Sequence, residues 1–178
     1  MLRRSLLILT AAALPALAQK APTTAPSAVA TARTLWTEVR DYLVQSAADV
    51  PESMYSYRPT PEVRTFGELV GHIAGSQHMY CAIALGEKPP AEDAVEKAAK
   101  TKAALVQALK ESNDYCARAY QLPDAATTGM VDLFGAQRSK LFTLFQNVTH
   151  DSEHYGNIVT YMRLNKMVPP SSRPRSGG

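Results

Sequence analysis

The sequence predicts an all-α fold, a four-helix bundle that occupies residues 27–168. Apolar residues recur at three- and four-residue spacing in four long segments, and no segment alternates apolar and polar residues as a half-buried strand does. Hydrophobic residues make up 46% of the 178 positions, which is enough for a single domain to bury its own core. We therefore expect one helical domain.

The first 18 residues are typical of a secretory signal peptide. Arg3 and Arg4 precede an apolar stretch at 6–17, and Ala-Leu-Ala at 16–18 resembles a cleavage site. A buried N-terminal helix is the alternative, but it leaves the basic start and the small-residue end unexplained. The protein is thus predicted to be exported to the periplasm or the medium, with cleavage after Ala18 and no stable membrane insertion afterwards.

The charge balance argues against nucleic acid as a partner. The chain has 19 basic and 16 acidic residues, and cleavage after Ala18 would remove two arginines and leave a net charge of +1. DNA and RNA binding usually depends on a basic surface. No nucleic-acid partner is therefore expected.

The first helix is predicted from Ser27 to about Ala47, after a flexible lead-in at 19–26 that is rich in Ala, Pro and Thr. Its buried stripe follows the three-and-four spacing. Residues 48–64 contain three prolines and are predicted as a loop. The stripe comprises Val29, Ala32, Leu35, Trp36, Val39, Tyr42 and Leu43.

The second helix is predicted to begin at Thr65, because Glu68 three positions later completes a capping box. Gly86 and the Pro-Pro pair at 89–90 end it. A charged connector at 91–100, itself compatible with a helix, leads to a third helix that ends near Tyr120.

The fourth helix is predicted at about 137–165, after a loop at 121–135. The Pro-Pro pair at 169–170 ends the domain, and residues 169–178 are predicted as a disordered tail. One face of this helix is apolar, and the opposite face carries a polar stripe, which alone is also what a solvated surface looks like. The polar stripe comprises Thr143, Asn147, His150, His154, Asn157 and Tyr161.

Two of the four histidines, His150 and His154, lie four positions apart in the fourth helix. At that spacing both imidazoles can bind one metal ion. His72 in the second helix is the candidate third ligand, because Gly71 and Gly75 beside it allow a backbone or ligand to approach closely. Three histidines from two helices would leave an open coordination position.

Two neighbouring side chains are given other roles. His78 lies on another face of the second helix from His72 and is interpreted as structural. Glu68 shares the face of His72, but the capping box already explains it.

Glu153 lies between the paired histidines and completes an H-x-x-E-H pattern, which is found in inverzincin peptidases. Those enzymes take a third ligand from a downstream Glu, whereas no Asp or Glu follows His154 in this chain. The peptidase interpretation is therefore disfavoured, and Glu153 remains a candidate general base for another reaction.

The two cysteines, Cys81 and Cys116, allow several readings. If the second and third helices are antiparallel, the residues lie roughly 30 Å apart and cannot pair. If a long connection makes the helices parallel, a disulfide can form, as an oxidising compartment would favour. Two small buried apolar side chains are the third option.

The sequence resembles the DinB/YfiT-like superfamily of metal-dependent proteins. The resemblance rests on Phe-Gly-Glu-Leu-Val-Gly-His-Ile-Ala at 66–74, on His-x-x-x-His-Tyr-Gly-Asn-Ile-Val-Thr-Tyr-Met-Arg at 150–163, and on Val-Pro-Pro at 168–170. It implies an up-down-down-up four-helix bundle that binds one divalent metal through His72, His150 and His154. The parallel second and third helices of that topology would bring the cysteines together.

Two kinds of function are compatible with the resemblance and the predicted signal peptide. One is an exported metalloenzyme, a hydrolase or a transferase, that acts on a small molecule of unknown identity. The other is a non-catalytic metal-binding or helical interaction module. Zn²⁺, Ni²⁺ and Fe²⁺ all suit three imidazoles, and a homodimer is one assembly left open.

Overall fold

Four long helices account for most of residues 25–174, the part of the chain that the computed structural model describes. The predicted signal peptide and residues 19–24 of the predicted lead-in lie outside the described residues. No helix within the described part is both long and apolar enough to cross a membrane. The elements are α1 (Ala28–Asp49), α2 (Phe66–Leu85), α3 (Ala94–Ala98), α4 (Lys102–Ala119), α5 (Asp124–Thr127), β1 (Met130–Leu133), β2 (Ala136–Ser139) and α6 (Lys140–Leu164).

Each long helix begins at a Ser or Thr hydroxyl that accepts a hydrogen bond from an amide of the first turn, which satisfies one of the unpaired N–H groups there. At α2 the predicted capping box is confirmed. The Thr65 hydroxyl accepts from the Glu68 amide at 3.2 Å, and the Glu68 carboxylate accepts from the Thr65 amide at 2.7 Å. The other caps are Ser27, Thr101 and Ser139.

The four helices are arranged up-down-down-up, as the resemblance implied. Two apolar clusters lie at opposite ends of the bundle, and each takes residues from all four helices. Moving from one cluster to the other, residue numbers increase along α1 and α6 and decrease along α2 and α4. The first cluster includes Val29, Ala84, Ala119 and Leu144, and the second includes Leu43, Val70, Leu105 and Met162.

Cys81 and Cys116 form a disulfide, with their Cα atoms 5.3 Å apart. The long connection between α2 and α4 makes these helices parallel, so the two cysteines lie at the same end of the bundle. Of the three readings of the cysteines, the structure therefore shows the disulfide.

A β-hairpin corrects the expectation that the chain has no strands. β1 and β2 pair antiparallel across a two-residue turn at Phe134 and Gly135, both with positive φ, 54° and 80°. The Asp132 carboxylate accepts from the Gly135 amide at 3.1 Å and closes the turn. Because the hairpin extends to Ser139, α6 begins at Lys140, three residues later than predicted.

The polar stripe of α6 is not a solvated surface in its first half. Thr143 and Asn147 are fully buried, since α6 packs against α1 with one face and against α2 with the other. The predicted apolar face is also buried at Leu144, Val148 and Tyr155. Two buried faces explain why periodicity alone did not assign the environment of this helix.

The chain after α6 folds back onto the bundle. Residues 170–172 form a 3₁₀ turn, in which Ser171 accepts a hydrogen bond from the Tyr155 hydroxyl at 2.8 Å. Arg173 forms an ion pair with Asp49 at 2.7 Å. Residues 170–173 thus contact the bundle, and residues 175–178 of the predicted tail lie outside the described part.

Candidate metal centre

Three imidazole rings converge between α2 and α6. The Nε2 atom of His72 lies 3.2 Å from Nε2 of His150 and 3.1 Å from Nε2 of His154. The Nε2 atoms of His150 and His154 are 3.1 Å apart. Three nitrogens thus form a nearly equilateral triangle, built by the three histidines that the sequence analysis selected.

This triangle has the size that a metal ion requires. At metal–nitrogen distances of about 2.0–2.1 Å, the edges of a tetrahedral site are about 3.3 Å long. Among the described residues, these histidines are the one group of His, Cys, Asp or Glu close enough to share an ion. The donor set fits a divalent metal, and the three side chains could hold one.

The outer nitrogen of His150 faces a buried hydroxyl. Ser76 donates to the backbone carbonyl of His72 at 2.7 Å, so its oxygen is free to accept from Nδ1 of His150, 3.4 Å away. A proton on Nδ1 leaves the lone pair on Nε2, which points into the triangle. This assignment of the tautomer follows from the hydrogen-bond network.

The imidazoles of His72 and His154 are held neutral. Burial, followed by electrostatic interactions with Arg64, His154 and His150, lowers the pKa of His72 to about 3. Burial, with His150 and Arg64, lowers the pKa of His154 to about 4. Neutral rings at pH 7 have the free lone pair that metal binding needs.

Two carboxylates that the sequence analysis did not assign lie next to His72. Glu92 places Oε1 3.9 Å from Nε2 of His72, and Glu96 places Oε2 3.7 Å from Nδ1. Both belong to the 91–100 connector, which lies against α2. A Cβ at Gly71 would lie 2.9 Å from the Glu96 Cα, and one at Gly75 would overlap the Glu92 carbonyl. The expected close approach at these glycines is thus an approach of backbone.

A cleft of about 560 Å³ opens beside the triangle. His154 lines it directly, and Arg64 and Tyr161 form part of its wall. The Tyr161 hydroxyl donates to the Arg64 carbonyl at 2.7 Å and ties the loop at 59–64 to α6. A small molecule in this cleft would therefore contact the histidine cluster.

A buried acid lies behind His150. Asp151 is fully buried, and burial raises its pKa to about 6, with His150 and Asn147 opposing the rise. Its Oδ2 accepts from Asn147 at 3.3 Å, and Oδ1 lies 3.9 Å from Nδ1 of His150. Among the described residues, the buried side-chain atoms without a hydrogen-bond partner are His72 Nδ1, Asn147 Oδ1 and Asp151 Oδ1.

The remaining candidates lie outside the triangle. His78 packs its ring against Tyr115, with centroids 4.1 Å apart, which agrees with a structural role. Glu68 caps α2. Glu153 is exposed on α6, and its role as a base stays a prediction.

Comparisons with known proteins agree with the fold. The model of the DinB superfamily matches residues 35–158, a range that includes all three histidines. No curated protein matches the sequence at a significant level.

Solved structures also align over most of the chain. A DinB-like protein from Bacillus cereus aligns with a TM-score of 0.68 at 18% identity, over 78% of this chain and 93% of that one. A DinB-like protein from Bacillus subtilis aligns with a TM-score of 0.65 at 22% identity, over 82% and 99%. A mycothiol-dependent maleylpyruvate isomerase aligns with a TM-score of 0.64 at 16% identity, over 73% and 60%. By its sequence match and its up-down-down-up bundle, the chain belongs to the DinB superfamily.

Proposed function

We propose that the protein is an exported, metal-dependent enzyme that binds one divalent ion through His72, His150 and His154 and acts on a small molecule. The observation that carries the proposal is the triangle of Nε2 atoms with edges of 3.1–3.2 Å. The cleft beside His154 gives a small molecule access to it.

The chemistry follows from the donor set. A divalent ion such as Zn²⁺, Ni²⁺ or Fe²⁺ would supply Lewis acidity and would favour the ionised form of a nucleophile. The three imidazoles bind it without adding charge. Glu153, on the exposed surface of α6, or Glu92, near the ring of His72, would hold the proton released by the nucleophile.

Hydrolysis and group transfer are the two reaction classes in the proposal. The thiol dependence named for the isomerase of similar fold supports transfer to or from a thiol. Export away from the cytosol favours water as the nucleophile. The signal-like residues 1–18 and the Cys81–Cys116 disulfide support export, because structural disulfides persist in oxidising compartments.

Metal analysis of the purified mature protein tests the proposal. We expect about one bound divalent ion per chain in the wild type, a large loss in His150→Ala, and no loss in the control His78→Ala, since His78 belongs to α2 but not to the triangle. A wild-type protein that neither contains nor takes up Zn²⁺, Ni²⁺ or Fe²⁺ would refute the metal site.

The position of Glu92 supports a second candidate function, that of a non-catalytic metal-binding module. Its Oε1 lies 3.9 Å from Nε2 of His72, so a change of rotamer could bring it to the ion as a fourth protein ligand. A site closed in this way is typical of structural ions. X-ray absorption of the Zn²⁺ form separates the two candidates: Glu92→Gln should leave the ligand shell unchanged in the enzyme and change it in the module.

For the enzyme, a screen of hydrolase and thiol-transfer substrates with Glu153→Gln and Glu92→Gln would assign the base. The base variant should lose turnover and retain the metal. The peptidase interpretation remains disfavoured, because His72 occupies the third position that a downstream carboxylate takes in inverzincins.

A further inference from the structure

We propose that Glu96 is a positioning residue for the metal centre. Its carboxylate accepts the Nδ1–H of His72, holds that ring in the tautomer with a free lone pair on Nε2, and so strengthens metal binding. This inference rests on the proposed metal site, although the tautomer itself can be measured without metal.

The ring of His72 has an unpaired buried nitrogen. The residue is only 6% exposed, and its Nδ1 atom is buried without a hydrogen-bond partner. The Nε2 atom of His72 faces the other two Nε2 atoms of the triangle. A neutral His72 ring that binds a metal ion through Nε2 must therefore carry its proton on Nδ1. A buried N–H without an acceptor costs free energy. Glu96 Oε2, 3.7 Å away, is the carboxylate oxygen that faces this atom.

The fold holds Glu96 in place. The absence of a side chain at Gly71 lets the backbone of α3 lie directly on α2 at Glu96. The Glu96 carboxylate is also anchored from the other side, because Arg64 Nε donates to its Oε1 at 3.1 Å. One oxygen is therefore held by a guanidinium, and the other faces the imidazole.

A distance of 3.7 Å is too long for a hydrogen bond, and a movement of less than about 1 Å would close it. Metal binding supplies the reason for the movement. An imidazole that donates its lone pair to a cation becomes a stronger N–H donor, and ligating histidines usually donate that N–H to a carboxylate or carbonyl. The same pairing fixes the ring orientation.

The position of Glu92 shows that this role is specific to Glu96. Glu92 approaches the opposite nitrogen, Nε2, from the same connector. It therefore lies on the side of the ring where the ion would bind and cannot accept the Nδ1 proton. Glu92 therefore faces Nε2 of His72, and Glu96 faces Nδ1 of the same ring.

The test compares Glu96→Ala and Glu96→Gln with Glu62→Gln. Glu62 is an exposed carboxylate in the same cleft, so its variant removes a nearby negative charge without removing the acceptor. Zn²⁺ affinity, measured by competition with a chromophoric chelator, should fall roughly 10–100-fold in Glu96→Ala. It should fall less in Glu96→Gln, which retains an acceptor oxygen, and change little in Glu62→Gln. Circular dichroism and the melting temperature would identify a variant that fails to fold.

Nitrogen-15 NMR of the histidine rings supplies a readout that a merely structural role would not change. In the wild type, with and without Zn²⁺, we expect His72 to carry its proton on Nδ1, and in metal-free Glu96→Ala we expect that preference to be lost. Equal Zn²⁺ affinities in Glu96→Ala and Glu62→Gln, or an unchanged His72 tautomer in Glu96→Ala, would overturn the inference. If the wild type binds no metal, the proposed function fails, and the tautomer in the metal-free protein still decides the role of Glu96.

Discussion

Helix α2 makes two buried polar contacts, and they differ in whether every buried polar atom has a hydrogen-bond partner. Toward α1 and α4, Gln77 accepts from the Trp36 indole at 2.9 Å and donates to Ser112 at 2.9 Å and Asn113 at 2.7 Å. The Cys81–Cys116 disulfide lies one turn further along. Toward α6, three imidazole nitrogens face one another.

The difference separates a contact that protein atoms complete from one that contains the candidate metal site. Buried polar groups in folded proteins almost always have partners. The contact around Gln77 meets that rule with protein atoms alone, whereas the three unpaired buried atoms of the described residues all lie in or behind the histidine cluster, at His72, Asn147 and Asp151. The α2–α4 contact is complete as it stands, whereas the α2–α6 contact leaves buried polar atoms unpaired beside three histidines that could hold a metal ion.

The largest expected effect comes from removing the disulfide at the α2–α4 contact. Replacing both cysteines by alanine should lower the free energy of unfolding by about 4 kcal/mol, because the disulfide closes a loop of 35 residues. Urea denaturation measures the loss. Zn²⁺ affinity of the folded variant should stay within about threefold of wild type, since the disulfide and the histidine cluster share no contact. A larger change in affinity would show that the two contacts of α2 are coupled.

Zn²⁺ binding to the histidine cluster between α2 and α6 should stabilise the protein. At a free Zn²⁺ concentration 100 times the dissociation constant, the free energy of unfolding should rise by about 3 kcal/mol. Thermal denaturation with and without the ion measures this gain. His150→Ala should lose it and His78→Ala should retain it; a full gain in both variants would place the ion elsewhere.

Gln77→Ala should cost about 2 kcal/mol of stability, because it leaves the buried indole of Trp36 and the side-chain oxygen of Asn113 without the hydrogen bonds they make to Gln77. Gln107→Ala, on the exposed face of α4, is the control and should cost less than about 0.5 kcal/mol. Chemical denaturation compares the two. Equal stabilities would mean that the network around Gln77 contributes no more than an exposed amide.

The smallest effect, taken per pH unit, is a pH dependence of the metal-free protein. The pKa of His72 is about 3 in the folded chain and about 6.5 when unfolded. Between these values the unfolded chain binds a proton that the folded ring does not, so stability is full above pH 6.5 and decreases as the pH falls.

His72→Gln should reduce this slope by at most about 1.4 kcal/mol per pH unit. Denaturation midpoints from pH 7 to pH 4 in the presence of a chelator measure it. Asp151, whose raised pKa acts in the opposite direction, is present in both proteins, so the difference between them isolates His72. Identical slopes would contradict the low pKa.

The parts of the fold that follow local rules were predictable from the sequence. The capping box of Thr65 and Glu68 located the start of α2, and the i, i+4 spacing located the histidine pair on one face of α6. His72 was selected because it lies beside two glycines. The topology and the disulfide came from the family resemblance, because helical periodicity does not say whether neighbouring helices are parallel.

The features that were missed depend on tertiary contacts. Thr143 and Asn147 resemble surface residues in the sequence, although the folded bundle buries both fully. The hairpin has Phe134, not Asn, at the first left-handed position of its turn, and β2 has no β-branched residue, so neither turn nor strand signals were present. Glu92 and Glu96 appeared as part of a charged connector, because only the structure shows that this connector lies on Gly71 and Gly75.

Gly75 has no side chain, yet its contact with the connector determines where Glu92 and Glu96 lie relative to His72. A single methyl group there would overlap the Glu92 carbonyl, and the connector would have to lift away from α2. Glu92 and Glu96 would then leave His72 together, although both carboxylates and all three histidines remained in the sequence. An alanine at position 75 in a homologue would therefore mark a protein with the same candidate ligands and a different environment around them.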